Sequence, residues 1–269
     1  MKKSVVTKEY QNLHKDILTL QEQWKKSINP ESIIPNLDKA ALVSGVPAAA
    51  LTAIHFDIPL FLQWIDEINE LLINHNSELE TKLTSISGRL DEETAIRWIE
   101  EAFSFNSVYF ISFAADNGLE EWIPQFLAET ALRPYLQLTA EIVQHEIHHA
   151  VHGAGCPVCG EPARLAVLVE EGKKEMQCPR CNAHWPAKRV ECALCGNADH
   201  KTIQFLTIEG DSASQIQVCD ECKGYIKVID TRQYLQKPTA AMLDLNTIHL
   251  DFIAQEHGYQ TVGEAKLKN

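Results

Sequence analysis

Eight cysteines, all in four C-x-x-C pairs between positions 156 and 222, constrain this 269-residue chain more than any other feature. The pairs are Cys156/Cys159, Cys178/Cys181, Cys192/Cys195 and Cys219/Cys222. A tetrahedral Zn²⁺ or Fe ion takes four soft ligands at ~2.3 Å. Two cysteines three apart wrap one side of such an ion, while backbone N–H groups of the turn point at the sulfurs. Proline after the first cysteine, in "CPVCG" and "CPRCN", pre-sets φ for that turn. Glycine after the second, in "CPVCG" and "CALCG", permits the positive φ that closes it. In a secreted mini-protein, paired cysteines read as a disulfide framework. Here the N-terminal stretch "MKKSVVTKEYQNLHKD" has no apolar segment of the kind a secretory signal carries, so metal ligation is the expectation. Redox dithiols are the competing reading, but those sit at a helix N-terminus after a strand. These knuckles are followed by Gly160, Asn182, Gly196 and Lys223, with hairpin patterns around them.

The segments between the pairs decide which share an ion. "ARLAVLVEEGKKEMQ" is an apolar, valine-containing run, a turn at Gly172 and a short return. "HKTIQFLTIEGDSASQIQV" repeats the plan, with Gly210 and Asp211 in the turn. Folding each hairpin back brings Cys156/Cys159 beside Cys178/Cys181, and Cys192/Cys195 beside Cys219/Cys222. The expectation is two mononuclear tetrathiolate sites in tandem rubredoxin-like or zinc-ribbon modules, with an interleaved cross-brace as the alternative pairing. Zn²⁺ and Fe²⁺ both accept such a tetrahedron, so spacing does not choose between them.

The rest of the chain reads as helix. "DIPLFLQWIDEINELLINHNSEL" places Leu60, Trp64, Ile68, Leu71 and Leu72 on one face. "DEETAIRWIEEAF" opens on Asp91 as an N-cap and carries a stripe of Ile96, Ile99 and Phe103. Pro30, Pro35, Pro47, Pro59, Pro124 and Pro134 read as helix starts and interhelix turns. Helix lengths of ~11–12 residues then give five to seven helices before the first knuckle. "AAMLDLNTIHLDFIAQEHGY" returns to helical period through Leu243, Ile248, Leu250 and Ile253, with Gly258 as a C-cap. The fold class is α+β: an all-α domain over 1–153, rubredoxin-like four-cysteine modules over 154–190 and 191–232, and a C-terminal helix and tail over 233–269.

Composition removes some functions. A net charge of −13 disfavours a broad nucleic-acid footprint. The cysteine-rich stretch 156–230 itself has nine Lys/Arg against eleven Asp/Glu, which weighs against a zinc-ribbon nucleic-acid binder. No apolar run is long enough for a transmembrane helix, and a cytoplasmic location is expected. "HEIHH" at His145–His149 matches the H-E-x-x-H pattern of zinc proteases, with Glu146 as the would-be base. A metzincin would need glycine at 152 and histidine at 155, where this chain has His152 and Gly155. The first downstream glutamates, Glu170 and Glu171, fall inside a hairpin. A solvent-facing, histidine-rich helix end is the preferred reading, and no catalytic or cofactor-binding residues are assigned.

The blocks around the knuckles carry a resemblance. "CPVCGEP", "CPRCNAHWPAKRVECALCG", "CDECKGYIKVID" and "DLNTIHLDFIAQEHGY" together resemble the FdhE family of formate dehydrogenase accessory proteins. The second block is Cys178, Cys181, Trp185, Arg189, Cys192 and Cys195; the third is Cys219, Cys222, Tyr225, Ile226 and Lys227. The helix block carries Asp244, Leu245, Leu250, Asp251, Gly258 and Tyr259. "GKKEMQC" departs from the family's G-x-R-Y-L-x-C, and "HEIHH" is outside its pattern. The resemblance implies a non-catalytic maturation factor that binds the catalytic subunit of respiratory formate dehydrogenase and carries iron in rubredoxin-like folds. Homodimerisation is left open. From the residues alone, Trp185 is expected in a small core, Arg189 at the surface or against a partner's acid, and Asp244 and Asp251 on the polar face of a helix.

Overall fold

The computed structural model of the chain describes residues 5–87, 90–147 and 154–261. It divides into two compact units. One holds Glu9–Ile34 and Ala53–Leu138; the other holds Pro35–Thr52 and the chain from Thr139 onward.

The first unit is built from α1 (Lys8–Ser27), α3 (Ile58–His75), α4 (Glu80–Ser87), α5 (Glu92–Phe103), α6 (Ser107–Asn117) and most of α7 (Trp122–Val143), with the short α2 (Lys39–Val43) belonging to the other unit. Asp57 caps α3 by accepting from the Leu60 N–H, and Asp91 caps α5 by accepting from the Thr94 N–H. The buried face of α3 is Phe61, Trp64, Ile65, Ile68 and Leu72. Its Trp64 ring stacks on Trp24 of α1 at 5.3 Å and meets Tyr135 of α7 at 5.6 Å. On α5 the buried stripe is Ala95, Trp98, Ile99 and Ala102, while Ile96 faces solvent. The large Trp98 ring wins the core position, packing edge-on against Phe110 and Phe113.

Two expectations for this region are corrected. Short strands β1 (Ile33–Pro35) and β2 (Thr52–Ile54) pair in a region expected to be all-α. Ile34 precedes a proline, which holds it extended, and Thr52 and Ile54 are β-branched. Pro134 is not a turn but lies inside α7. Having no N–H, it cannot bond the carbonyl of Thr130 one turn earlier. The buried Gln21 side chain of α1 donates to that freed carbonyl instead, at 2.9 Å, which is how the helix tolerates the proline.

The second unit centres on one six-stranded sheet in the order β5-β4-β3-β8-β7-β6. Its strands are β3 (Leu165–Leu168), β4 (Lys174–Gln177), β5 (His184–Ala187), β6 (Ile203–Ile208), β7 (Asp211–Cys219) and β8 (Tyr225–Asp230). The two expected hairpins are β3–β4, turning through Gly172, and β6–β7, turning through Glu209 and Gly210. Two further strands fuse them. β5 adds to β4 through pairs such as Met176↔Trp185, and β8 adds to β7. β8 also runs parallel to β3, with Ala166 opposite Val228 and Val167 opposite Ile229. The tandem modules are therefore two halves of one continuous sheet. β3 is buried at all four positions, as a strand in the middle of a sheet covered on both faces must be.

One face of that sheet is covered by two helices where one was expected: α8 (Ala240–Asn246) and α9 (Ile248–Glu256). The break is at buried Thr247, whose hydroxyl donates back to the Leu243 carbonyl at 2.6 Å. Leu243, Leu250, Ala254 and Tyr259 pack with Leu165, Val167, Ile216, Val218 and Ile229 into one apolar cluster. Gly258 takes a positive φ of 82° just after α9, where only glycine adopts it without strain.

Candidate metal centres

The pairing expected from the hairpins is the one found. Cys156, Cys159, Cys178 and Cys181 bring their sulfurs within 4.8 Å of one another, and so do Cys192, Cys195, Cys219 and Cys222. In the first quartet, Cys156–Cys181 and Cys159–Cys178 stand 3.5 Å apart, Sγ to Sγ. In the second, Cys192–Cys222 and Cys195–Cys219 stand 3.7 and 3.8 Å apart. None is bonded as a disulfide. Four sulfurs each ~2.3 Å from a central ion lie ~3.8 Å from one another, so both quartets have the size of a filled tetrathiolate tetrahedron.

The knuckles are local copies of one turn. The N–H of each first cysteine donates to the carbonyl five residues on: Cys156 to Glu161, Cys178 to Ala183, Cys192 to Asn197 and Cys219 to Gly224, at 2.7–3.0 Å. The residue after each second cysteine has positive φ: Gly160 at 77°, Asn182 at 63°, Gly196 at 73° and Lys223 at 55°. The backbone requirement inferred from the two glycines thus holds at all four knuckles, two of which meet it with a non-glycine residue. Gly224 was not singled out from the sequence, yet a Cβ there would come within 2.4 Å of Leu194 Cδ1 and 3.2 Å of Cys222 Sγ.

Burial separates the quartets. All four cysteines of the first are buried, with Cys181 at 0% exposure. Its first knuckle is roofed by residues 48–51, where the N–H groups of buried Ala48 and Ala49 donate to the carbonyls of Pro157 and Val158 at 2.8 and 2.9 Å. Trp185 on β5 is buried, as expected of the small core. The Gln144 amide brackets the backbone of neighbouring His184, donating to its carbonyl at 2.7 Å and accepting from its N–H at 3.3 Å. In the second quartet, Cys192 and Cys219 are buried beside Ile203 and Leu194, Cys222 is half-buried and Cys195 is exposed.

The thiols of each quartet are shifted apart. In the first, burial pushes the Cys159 and Cys181 thiols well up, while at Cys178 burial is outweighed by hydrogen bonds with Cys156, Cys159 and Cys181, which hold its thiol well down. In the second quartet burial pushes Cys192 up to about 11. At Cys219 burial acts in the same direction but is outweighed by N–H groups of Cys222 and Glu221 and by the Asn197 amide, which bring the thiol down to about 7. Asn197 Nδ2 donates to Cys219 Sγ at 3.5 Å. Buried Lys174 of β4 reaches across the sheet to Gln217 Oε1 at 2.6 Å, and Gln217 in turn donates to the Glu191 carbonyl next to Cys192. Lys174 and Gln217 carry no motif signature and were missed in the sequence.

Asp244 and Asp251 are not on a solvated helix face. Lys227 of β8, 1% exposed, sits between them, with Nζ 2.7 Å from Asp244 Oδ1 and 2.8 Å from Asp251 Oδ2. Asp244 also accepts from Arg164 Nε at 2.9 Å, and Arg164 pairs with Glu161 of the first knuckle. Asp251 accepts from the Tyr225 hydroxyl at 3.0 Å. The Tyr259 hydroxyl donates to Asp220 of the fourth knuckle, which also pairs with Lys223. The α8–α9 pair thus carries a chain of charged contacts from one knuckle region to the other. Arg189 is exposed.

These interlocked positions are the ones that carried the family resemblance, and comparison with known proteins agrees. A sequence model described as the FdhE C-terminal domain matches residues 190–267. A relative from Aquifex aeolicus (strain VF5), named Protein FdhE homolog, is 24% identical over 253 residues, covering 91% of this chain and 81% of the relative. The crystal structure of the FdhE protein from Pseudomonas aeruginosa superposes with a TM-score of 0.62 at 19% identity, over 91% of this chain and 84% of that one. The chain is similar to FdhE proteins, and its C-terminal part matches their C-terminal domain. A further FdhE homologue, from Shewanella baltica (strain OS185), is 32% identical over 107 residues, which is 39% of this chain and 35% of that relative. Of the "HEIHH" stretch, residues 145–147 lie among the described residues. α7 ends at Val143 and residues 144–146 form a turn, so His145 and Glu146 stand beyond the helix. His148, His149 and His152 lie outside the described residues. Among the described residues, no helix is long and apolar enough to cross a membrane.

Proposed function

We propose that the chain is a non-catalytic cytoplasmic accessory protein that binds the catalytic subunit of respiratory formate dehydrogenase and supports its maturation or activation. In this reading Cys156, Cys159, Cys178 and Cys181 ligate one mononuclear ion, and Cys192, Cys195, Cys219 and Cys222 ligate a second. The helical part over 1–153, the modules over 154–190 and 191–232 and the C-terminal segment over 233–269 act together as a docking body. Iron is the ion the family resemblance implies; zinc satisfies the same donor set. Either ion would cross-link its knuckles, and iron would add one-electron chemistry.

The observation that carries this is the pair of thiol quartets at tetrahedral spacing, built into opposite halves of one sheet. The polar family-motif residues around them support it too. Asp244, Asp251, Lys227, Tyr225 and Tyr259 are engaged with one another or with the knuckles, which suits a scaffold rather than a reaction site.

Affinity capture from the native host, grown anaerobically with formate, tests the reading. Formate dehydrogenase catalytic subunit should co-purify with the wild-type chain and be lost with the Cys156→Ser/Cys159→Ser variant. Bait that retains two metal ions per chain and captures no dehydrogenase would refute the partner assignment. Metal content below two per chain would refute the ligand assignment.

A further inference from the structure

Among the described residues two lysines are buried, both on strands of the sheet, and they are not held alike. Lys227 of β8 lies between Asp244 and Asp251, beneath α8 and α9. Lys174 of β4 pairs in register with Leu168, whose neighbours Leu165 and Val167 turn the alternate face of β3 toward those helices. Successive side chains on a strand point to opposite faces, so Lys174 belongs to the face away from the helices. Gln217 of β7 alternates with Ile216 and Val218 of the helix-covered cluster, which places it on the same face as Lys174.

Lys174 is 4% exposed, its Nζ donates to Gln217 Oε1 at 2.6 Å, and among the described residues no carboxylate pairs with it. A buried ammonium is strongly disfavoured unless an opposite charge faces it. Glu191 is not free to serve, because Lys188 holds its carboxylate at 2.6 Å. The second quartet supplies the missing charge. Gln217 lines one small pocket with Cys192 and Cys219, and its Nε2 donates to the Glu191 carbonyl at 2.9 Å, one residue before Cys192. Both ends of that amide are thus engaged, and it holds the ammonium toward the thiols. Burial pushes the Lys174 ammonium down to about 8, against the charges of Cys192 and Glu191. Four thiolates around a divalent ion leave a net charge of about −2, which favours the ammonium further.

From this arrangement we infer that Lys174 is the buried counter-charge of a metal ion held by Cys192, Cys195, Cys219 and Cys222, steadied in place by the Gln217 amide. The residue comes from the other half of the sheet, since β4 runs straight into Cys178 of the first quartet. The second centre is therefore completed by the first hairpin, which gives the fusion of the two halves a chemical use. The inference rests on the ligand assignment proposed above and not on the dehydrogenase partner.

Chelator competition on the zinc-loaded full chain tests it, with cysteine alkylation mapping each released ion to its quartet. Lys174→Met and Lys174→Gln should each weaken the second ion about tenfold, at the lower end of the range for partners just outside the ligands. The first ion should be unaffected. Lys174→Arg keeps the charge and should hold the second ion as wild type does, whereas a brace fitted to the lysine shape would be lost in all three variants. Unchanged affinity in both uncharged variants, an equal loss in Lys174→Arg, or equal losses from the two quartets would overturn the inference and leave the ligand assignment standing. A wild-type chain that binds no second ion would overturn both.

Discussion

The two thiol quartets are made by the same turn and have the same dimensions, yet one is sealed and the other stands at the surface. What differs is not the knuckle but what the chain lays over it. Residues 48–51, more than a hundred positions upstream, bond to the backbone of the first knuckle, and Gln144 braces the strand that follows the second. The other quartet has Leu194 and Ile203 packed against it and Asn197 on Cys219 Sγ, and it leaves Cys195 exposed. Two equal sets of candidate ligands therefore differ in their access to solvent, and that contrast makes testable predictions.

The largest effect is expected from the ligands themselves. Structural tetrathiolate ions contribute ~10–16 kcal/mol of binding free energy, much of it felt as folding. Cys181→Ser buries a hydroxyl where a thiolate was needed, and should strip the first ion and lower the melting temperature by about 10 °C or more. Cys195→Ser, at the exposed rim, should weaken only the second ion and shift the melt by a few degrees. Native mass spectrometry with thermal melts reads both, and equal losses from the two variants would contradict the contrast. Without any substitution, a strong chelator should remove metal in two phases of equal amplitude, the second quartet first, and Cys195→Ser should accelerate only the fast phase. Release in one phase would show that burial does not control access.

Next in size is the charged chain beneath α8 and α9, which the two quartets share. Lys227→Met leaves Asp251 without its cation and Asp244 with Arg164 alone. Breaking a buried pair in this way costs ~3–5 kcal/mol, measurable by denaturant titration, with amide exchange accelerated in both helices. A loss below ~1 kcal/mol would mean that the apolar cluster alone holds them. The pH dependence has a definite sign. Burial would raise the Asp244 carboxyl, but Arg164 and Lys227 outweigh it and hold it below its ordinary value. Its stabilising contribution is therefore full above the unfolded value of ~3.9 and lost as pH falls through the folded one. The advantage of wild type over Lys227→Met should stay level from neutral pH down to about pH 4 and shrink only below that.

The same pair of quartets shows why part of this structure is legible in the sequence and part is not. The ligand pairing follows from local signals: cysteines three apart, a proline or glycine setting the knuckle, and Gly172 and Gly210 turning each hairpin. The fusion of the halves does not. Ala166 and Val228 are neighbours in the sheet but 62 positions apart in the chain, and parallel pairing has no turn to announce it. Asp244 and Asp251 looked like a solvated helix face because their partner, Lys227, lies on a strand before the helix begins. Pro134 looked like a helix end because the group that compensates it, Gln21, is more than a hundred residues away. Burial of the first quartet was hidden for the same reason: Ala48 and Ala49 have no feature that links them to a metal site.

The smallest effect compares the two knuckles that lack glycine where φ is positive. A left-handed residue other than glycine costs roughly 1–2 kcal/mol, less for asparagine, whose short polar side chain tolerates it. Asn182 belongs to the sealed quartet and Lys223 to the open one. Asn182→Gly relieves little strain and lengthens the reach of the unfolded chain, so stability should change by no more than about 0.5 kcal/mol. Lys223→Gly relieves more strain but gives up the ion pair with Asp220 at 2.9 Å and the cation–π contact over the Tyr259 ring at 5.7 Å. Those contacts are exposed and weak, so gain and loss should nearly cancel in the melt. The discriminating readout is the second ion. Lys223 follows Cys222 directly and ties its knuckle to Asp220 and Tyr259, so loosening it should speed chelator release from the open quartet several-fold without changing the melt. Asn182→Gly should leave release from the sealed quartet unaltered, because there the knuckle is held from outside. If instead Asn182→Gly sped release and Lys223→Gly did not, the local turn would govern access to both ions, and the cover laid over the first quartet would be incidental.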